Sequence, residues 1–125
     1  METAEATMTI QEIANRLVEY CRVGNYTAAQ EELFSEDAES IEPEHMPGLQ
    51  TVKGRDAIVE KGKQFQSMVE EIHSNTVSDA VVAGNHFAVA ATIDATMKGA
   101  PRSLMNEIAV YEVKDGKIVK EQFIY

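Results

Sequence analysis

The chain has 125 residues, 44% of them hydrophobic, which is room for one core and one pocket, since a domain of this size buries roughly two thirds of the surface its unfolded chain exposes. Its 11 basic and 21 acidic residues give a net charge of −10, which argues against nucleic acid and anionic membrane, because both select for positive surface. Cys21 is the single cysteine, so neither a disulfide framework nor a cysteine metal quartet is available, in keeping with a reducing cytoplasm.

Residues 1–8 are polar and expected to be disordered, without the basic region and apolar run of a targeting signal; no apolar stretch of about 18 residues occurs anywhere. The single domain is therefore placed at residues 9–125. Thr9 and Glu12 form a capping box for a first helix whose apolar stripe is Ile10, Ile13, Ala14, Leu17, Val18 and Cys21, and Gly24-Asn25 ends it. A shorter helix from about Thr27 carries Ala28, Ala29, Leu33 and Phe34 inward until Ser35-Glu36-Asp37 breaks it. Residues 38–42 read as a short strand stopped by Pro43, with a loop from Pro43 to Gly48. A third helix runs from Gly54 or Arg55 to Val69, with Ala57, Ile58, Lys61, Phe65 and Met68 on one side.

The remainder is β: Glu71 to Val82, a Gly84-Asn85 turn, Phe87 to Met97, then a connection over Lys98 to Pro101. A hairpin closes it, with Ile108 to Val113 and Ile118 to Tyr125 joined through the Asp115-Gly116 turn. Helices followed by strands predict an α+β class with three N-terminal helices packed on one face of an antiparallel sheet. On the third long strand, Phe87, Val89, Ala91, Ile93, Ala95 and Met97 share the inward face. The final hairpin is partly apolar on both faces, which predicts a second cover for the sheet, read as a homodimer through it.

Several segments taken in order resemble the SnoaL-like branch of the nuclear transport factor 2-like superfamily: Leu33-Phe34-Ser35-Glu36-Asp37-Ala38, Glu42-Pro43, Lys53-Gly54-Arg55-Asp56-Ala57-Ile58, and Tyr111 to Val119. The resemblance spans nearly the whole chain and implies a cone, in which three helices pack into a strongly curved sheet around a pocket. Its members include polyketide cyclases, ketosteroid isomerases and dehydratases, so it constrains the fold more than the reaction. Glu42 falls where ketosteroid isomerases hold their carboxylate base. The positions of their two oxyanion donors fall near Leu17 and Ala109, which cannot donate.

Alternation and the resemblance together turn other polar groups toward the cavity. Glu107 and Tyr111 share a phase with Ala109, Glu121 and Tyr125 with Phe123, and His73 with Val77. Carboxylates gathered in a low-dielectric cleft need a hydrogen bond, a raised pKa or a cation, and Lys61 is the candidate cation. The expected catalytic pair is Glu42 as base and His73, or a tyrosine, as the partner acid. The expected substrate lining is Lys61, Phe65, Met105, Glu107, Tyr111, Glu121, Phe123 and Tyr125, with His45 in the loop before Gly48 as a lid residue. No helix carries His-x-x-x-His or Glu-x-x-His spacing, and no glycine-rich phosphate loop occurs, so neither metal nor cofactor is expected. These residues point to cofactor-free isomerisation, cyclisation or dehydration of a small apolar carbonyl compound. Two alternatives stand beside it: a non-catalytic ligand-binding protein and a dimerisation module.

Overall fold

The computed structural model describes residues 8–44 and 49–125. Helix α1 spans Ile10–Arg22, and its capping box is present, with the Thr9 hydroxyl accepting from the Glu12 N–H and the Glu12 carboxylate accepting from the Thr9 N–H. Its stripe buries Ile13, Ala14, Leu17 and Val18, and Met8, expected to be disordered, packs against the same core. Helix α2 is Tyr26–Leu33 and α3 is Arg55–Met68. On α3 the buried residues are Ile58 and Lys61, whereas Met68, expected inward, is exposed near the helix end.

The strands are β1 (Phe34–Ile41), β2 (Val52–Lys53), β3 (Val69–Val77), β4 (Val81–Ala83), β5 (His86–Met97), β6 (Ser103–Lys114) and β7 (Lys117–Ile124). They form one α+β sheet in the order β2-β1-β7-β6-β5-β3, with β4 continuing along the edge of β5. The long strands pair antiparallel, but β1 lies parallel to β7, which makes the sheet mixed.

Two sequence-based boundaries need correction. Ser35-Glu36-Asp37 does not break a helix but lies inside β1, because Phe34 already has extended backbone angles and pairs with Ile118. The Phe34 ring meets Tyr111 edge-on at 6.4 Å, and Tyr111 stacks on Phe87 at 4.8 Å, so tertiary packing of one aromatic outweighs the helical tendency of its neighbours. The strand expected over Glu71 to Val82 is two strands. Ser78 separates them by exchanging hydrogen bonds with the Ala90 backbone, and Arg22 caps the end of β3 by donating to the Val77 carbonyl.

The closing hairpin turns through Asp115 (φ 52°) and Gly116 (φ 76°). Two successive left-handed residues match the right-handed twist of the flanking strands. Register shifts bend the sheet at β1/β7, β3/β5 and β6/β7, and each also changes which side chains face the helices. Between Glu112 and Val113 the shift leaves Val119 unpaired against β6, so Ile118 and Glu121 both face inward although their numbers differ in parity. The core lies between this curved inner face and the three helices.

Candidate functional site

The site is built on the inner face where β1, β7 and β6 lie side by side. Ser40 of β1 is level with Glu121 of β7, which in turn is level with Tyr111 of β6. Alternation then aims Ser40 and Glu42 the same way, over the sheet toward α3. Lys61 reaches them from the buried side of α3. Its ammonium donates to Ser40 Oγ at 2.8 Å and to Glu42 Oε2 at 2.8 Å. Because an ammonium only donates, Ser40 accepts there and turns its own proton to Glu121 Oε1, at 2.8 Å. Tyr125 donates to the other Glu42 oxygen at 2.8 Å, and the Glu42 N–H is taken up by Thr51 Oγ1. Ser40, Glu42, Lys61 and Glu121 are all buried. The face of Phe123 lies 5.7 Å from the Lys61 ammonium, within cation–π range.

Charge in this interior is unequal. Burial raises the Glu121 carboxyl above the ordinary range; the Ser40 hydrogen bond and the Lys61 charge oppose this without cancelling it. Glu107, across from Ala91 on β5, is pushed up to about 7, first by burial and then by repulsion from Glu121 and Glu42. The same burial and negative charge raise Tyr111 and Tyr125, and hold the Cys21 thiol up at about 12. A thiol so held is not a nucleophile at neutral pH.

The other expected residues divide clearly. Phe65 lines an open cleft of about 320 Å³ together with Tyr26, Ile72, Asn75 and Ile93. Met105 pairs with Ile93 one step from Glu107 along β6, which joins the cleft to the carboxylate region. Tyr26 connects them as well, since Glu107 contributes to raising its hydroxyl after burial and Cys21. His45 lies outside the described residues.

His73 does not join the network. The register shift between Ile72 and Ser74 turns His73 to the outer face of the sheet, where its Nε2 lies 2.8 Å from Thr96 Oγ1 and its Nδ1 3.4 Å from Glu71. The assumption of unbroken alternation from His73 to Val77 fails at that bulge. The role of partner acid therefore has no support from the position of His73. Sequence reading also missed Ser40, Thr51 and Tyr26. Ser40 was legible in principle, two residues before Glu42 on the same strand face, but a serine in a strand carries no signal that it will be fully buried. Among the described residues, no three His, Cys, Asp or Glu side chains converge as metal ligands, and no helix is long and apolar enough to cross a membrane.

Comparison with known proteins follows the same outline. A candidate SnoaL-like polyketide cyclase from Mesorhizobium loti is 34% identical, with 94% of this chain and 100% of that chain covered and a TM-score of 0.87. A ketosteroid isomerase-like protein from Catenulispora acidiphila, solved in complex with trimethylamine, is 25% identical over 91% of this chain and 85% of that one, with a TM-score of 0.72. A nuclear transport factor 2-like protein from Burkholderia pseudomallei shares the fold at 15% identity, 94% and 92% coverage and a TM-score of 0.78. Comparison with curated proteins gives no match. The family model for the SnoaL-like domain matches residues 8–125. The chain belongs to the SnoaL-like domain family.

Proposed function

We propose that this protein holds a small, largely apolar carbonyl compound between its helices and its curved sheet, and that an interior carboxylate moves a proton beside that carbonyl without a cofactor. Isomerisation, cyclisation and dehydration all fit that chemistry. The observation that carries the reading is the excess of carboxylates over cations inside the cone. Among the described residues, Glu42, Glu107 and Glu121 repel one another, a single ammonium, Lys61, is bound at Glu42, and one of the three sits near neutrality. A carboxyl poised there can take a proton and return it at physiological pH. The resemblance to a candidate polyketide cyclase at 34% identity supports the same substrate type. The lone, half-buried Cys21 is consistent with action in the cytoplasm.

The test is thermal unfolding of the wild type with 2-tetralone and hydroxylated aromatic ketones. A ketone at 100 times its dissociation constant should stabilise the fold by about 2.7 kcal/mol, seen as a clear rise in Tm. Unchanged Tm with every ketone contradicts the reading. A second reading, an amine-binding protein, is favoured by the trimethylamine complex of the Catenulispora relative and by the same negative interior. Stabilisation by trimethylamine and by no ketone would select it.

The protein is also proposed to pair with a second copy through the outer sheet face. There Ala90, Ile108 and Ile124 form one row across β5, β6 and β7, with Ile108 and Ile124 about half exposed and Leu104 beyond them more so. Opposite charges lie together at the two ends of this row, Asp94 with Arg102 and Glu112 with Lys120. On a chain of net charge −10, an apolar row flanked by opposite charges is where a second copy meets least repulsion. Sedimentation should give twice the chain mass for the wild type and a monomer for Ile108→Glu. A monomeric wild type at high micromolar concentration contradicts it.

A further inference from the structure

Resting on the proton-transfer reading above, we infer that Glu107 is the catalytic carboxylate, and that Glu42 is a positioning residue holding Lys61 as the electrophilic donor. Hydrogen bonding sets the three interior carboxylates apart. Both oxygens of Glu42 are occupied, one by the Lys61 ammonium and one by the Tyr125 hydroxyl. A carboxylate with both oxygens held by donors is a poor base, because taking a proton means giving one of them up. Glu121 is buried and bound through Ser40. Glu107 is different: burial and two neighbouring carboxylates act on it, and no hydrogen bond from a described residue does. Of the three interior glutamates it is the one on β6, one inward position from Met105, whose partner Ile93 lines the open cleft.

Lys61 completes the pair. An ammonium has three N–H groups, and two go to Ser40 and Glu42. Among the described residues the third meets no oxygen, only the face of Phe123. That N–H is the donor a substrate oxygen would find. It takes the place of the oxyanion donors that the ketosteroid isomerase pattern would set near Leu17 and Ala109.

The step balances with the protein's own groups. Ionised Glu107 takes a proton from the carbon beside the carbonyl, the C–H electrons become the C=C bond of an enolate, and the enolate oxygen takes a hydrogen bond from Lys61. Neutral Glu107 then returns the proton to the same carbon or to one conjugated with it, which gives exchange or isomerisation. The substrate class is therefore an enolisable ketone with an apolar body.

Groups facing Glu107 come from each neighbouring element: Cys21 on α1, Tyr26 on α2, Glu42 after β1, Tyr111 on its own strand, Glu121 on β7 and Tyr125 just after it, with Lys61 on α3 bound beyond Glu42. The thiol and the three phenols are all raised and stay protonated from pH 5 to 9. Glu107 changes charge within that window.

The experiment is solvent-deuterium uptake at the activated CH2 of 2-tetralone, followed by NMR from pH 5 to 9 for wild type, Glu107→Gln, Glu107→Asp and Glu42→Gln. The wild type should accelerate uptake with a rate that rises through about pH 7. Glu107→Gln should lose about 100-fold of the protein-dependent rate, together with that midpoint, and Glu107→Asp should recover part of both. Glu42→Gln should slow exchange and keep a midpoint, moved to lower pH because one of the charges that repel ionised Glu107 is gone. A wild type that exchanges normally while Glu107→Gln stays within a few-fold of it overturns the assignment alone. So does Glu42→Gln abolishing the midpoint. A wild type with no exchange above solvent background overturns the proton-transfer reading, and this assignment with it.

Discussion

Lys61→Met is expected to destabilise the fold by about 3–5 kcal/mol, the typical cost of stripping one partner from a buried ion pair. The expectation follows from where the ammonium sits. Lys61 is 8% exposed, Glu42 6%, Glu121 5% and Ser40 not at all, so methionine would replace the single cation in the network with a thioether. Glu42 keeps only the Tyr125 hydrogen bond at its side chain, and Ser40 loses the donor that fixes its own proton toward Glu121. For a domain whose total stability is about 5–15 kcal/mol, such a loss approaches unfolding. The double variant Lys61→Met with Glu42→Gln should recover much of it, because the charge left uncompensated is gone. Urea denaturation at pH 7 measures both. Arg102→Met is a useful contrast, since its bidentate pair with Asp94 on the outer face leaves the arginine side chain 61% exposed; a surface pair of this kind contributes about 0–1 kcal/mol. A loss below about 1 kcal/mol for Lys61→Met would remove the case for the network.

Glu107→Gln should stabilise the protein at pH 8 by about 2–3 kcal/mol and change little at pH 5. The folded-state pKa of Glu107 is about 7, against an ordinary value of 4.5, so the folded chain holds this proton more tightly than the unfolded one. Its contribution is fully present below about pH 4.5 and is lost as pH rises through 7, amounting to about 3 kcal/mol between those limits. Glu121 acts in the same direction, being raised by burial. Glu32 and Asp94 act oppositely: arginines lower both at the surface, and that exposed, solvent-screened stability is lost as pH falls. Glutamine removes the Glu107 term and keeps the shape. The two proteins should therefore diverge in Tm between pH 5 and 8. A constant offset between them would contradict a neutral-range carboxyl.

Elements with a local cause were legible in the sequence. The Thr9–Glu12 box, the α1 stripe and the Asp115-Gly116 turn are set by residues within a few positions of one another. On β6, apolar on both faces in the sequence, the phase that the resemblance turned inward, Met105 through Val113, is the less exposed one along the strand. What failed depends on distant partners. Phe34 enters a strand because Tyr111 and Ile118 await it, and no nearby residue says so. His73 is turned outward by a bulge, and a bulge is an agreement between two strands that neither one records alone. The parallel pairing of β1 with β7 joins segments about 80 positions apart and is equally invisible to a local pattern. In the site, the residue types were legible and their linkage was not. Ser40, which joins Lys61 to Glu121, has no chemistry of its own to attract notice.

Side-chain carboxyl NMR of the ligand-free protein, with glutamates labelled at Cδ and Glu107 assigned through Glu107→Gln, tests the central claim most directly. The Glu107 resonance should titrate near pH 7, while Glu32, lowered by Arg16, titrates in the acid range. If the Glu107 resonance instead titrates near 4.5, the interior holds no carboxyl poised for proton transfer, and both the proposed chemistry and the division of roles between Glu107 and Glu42 are contradicted.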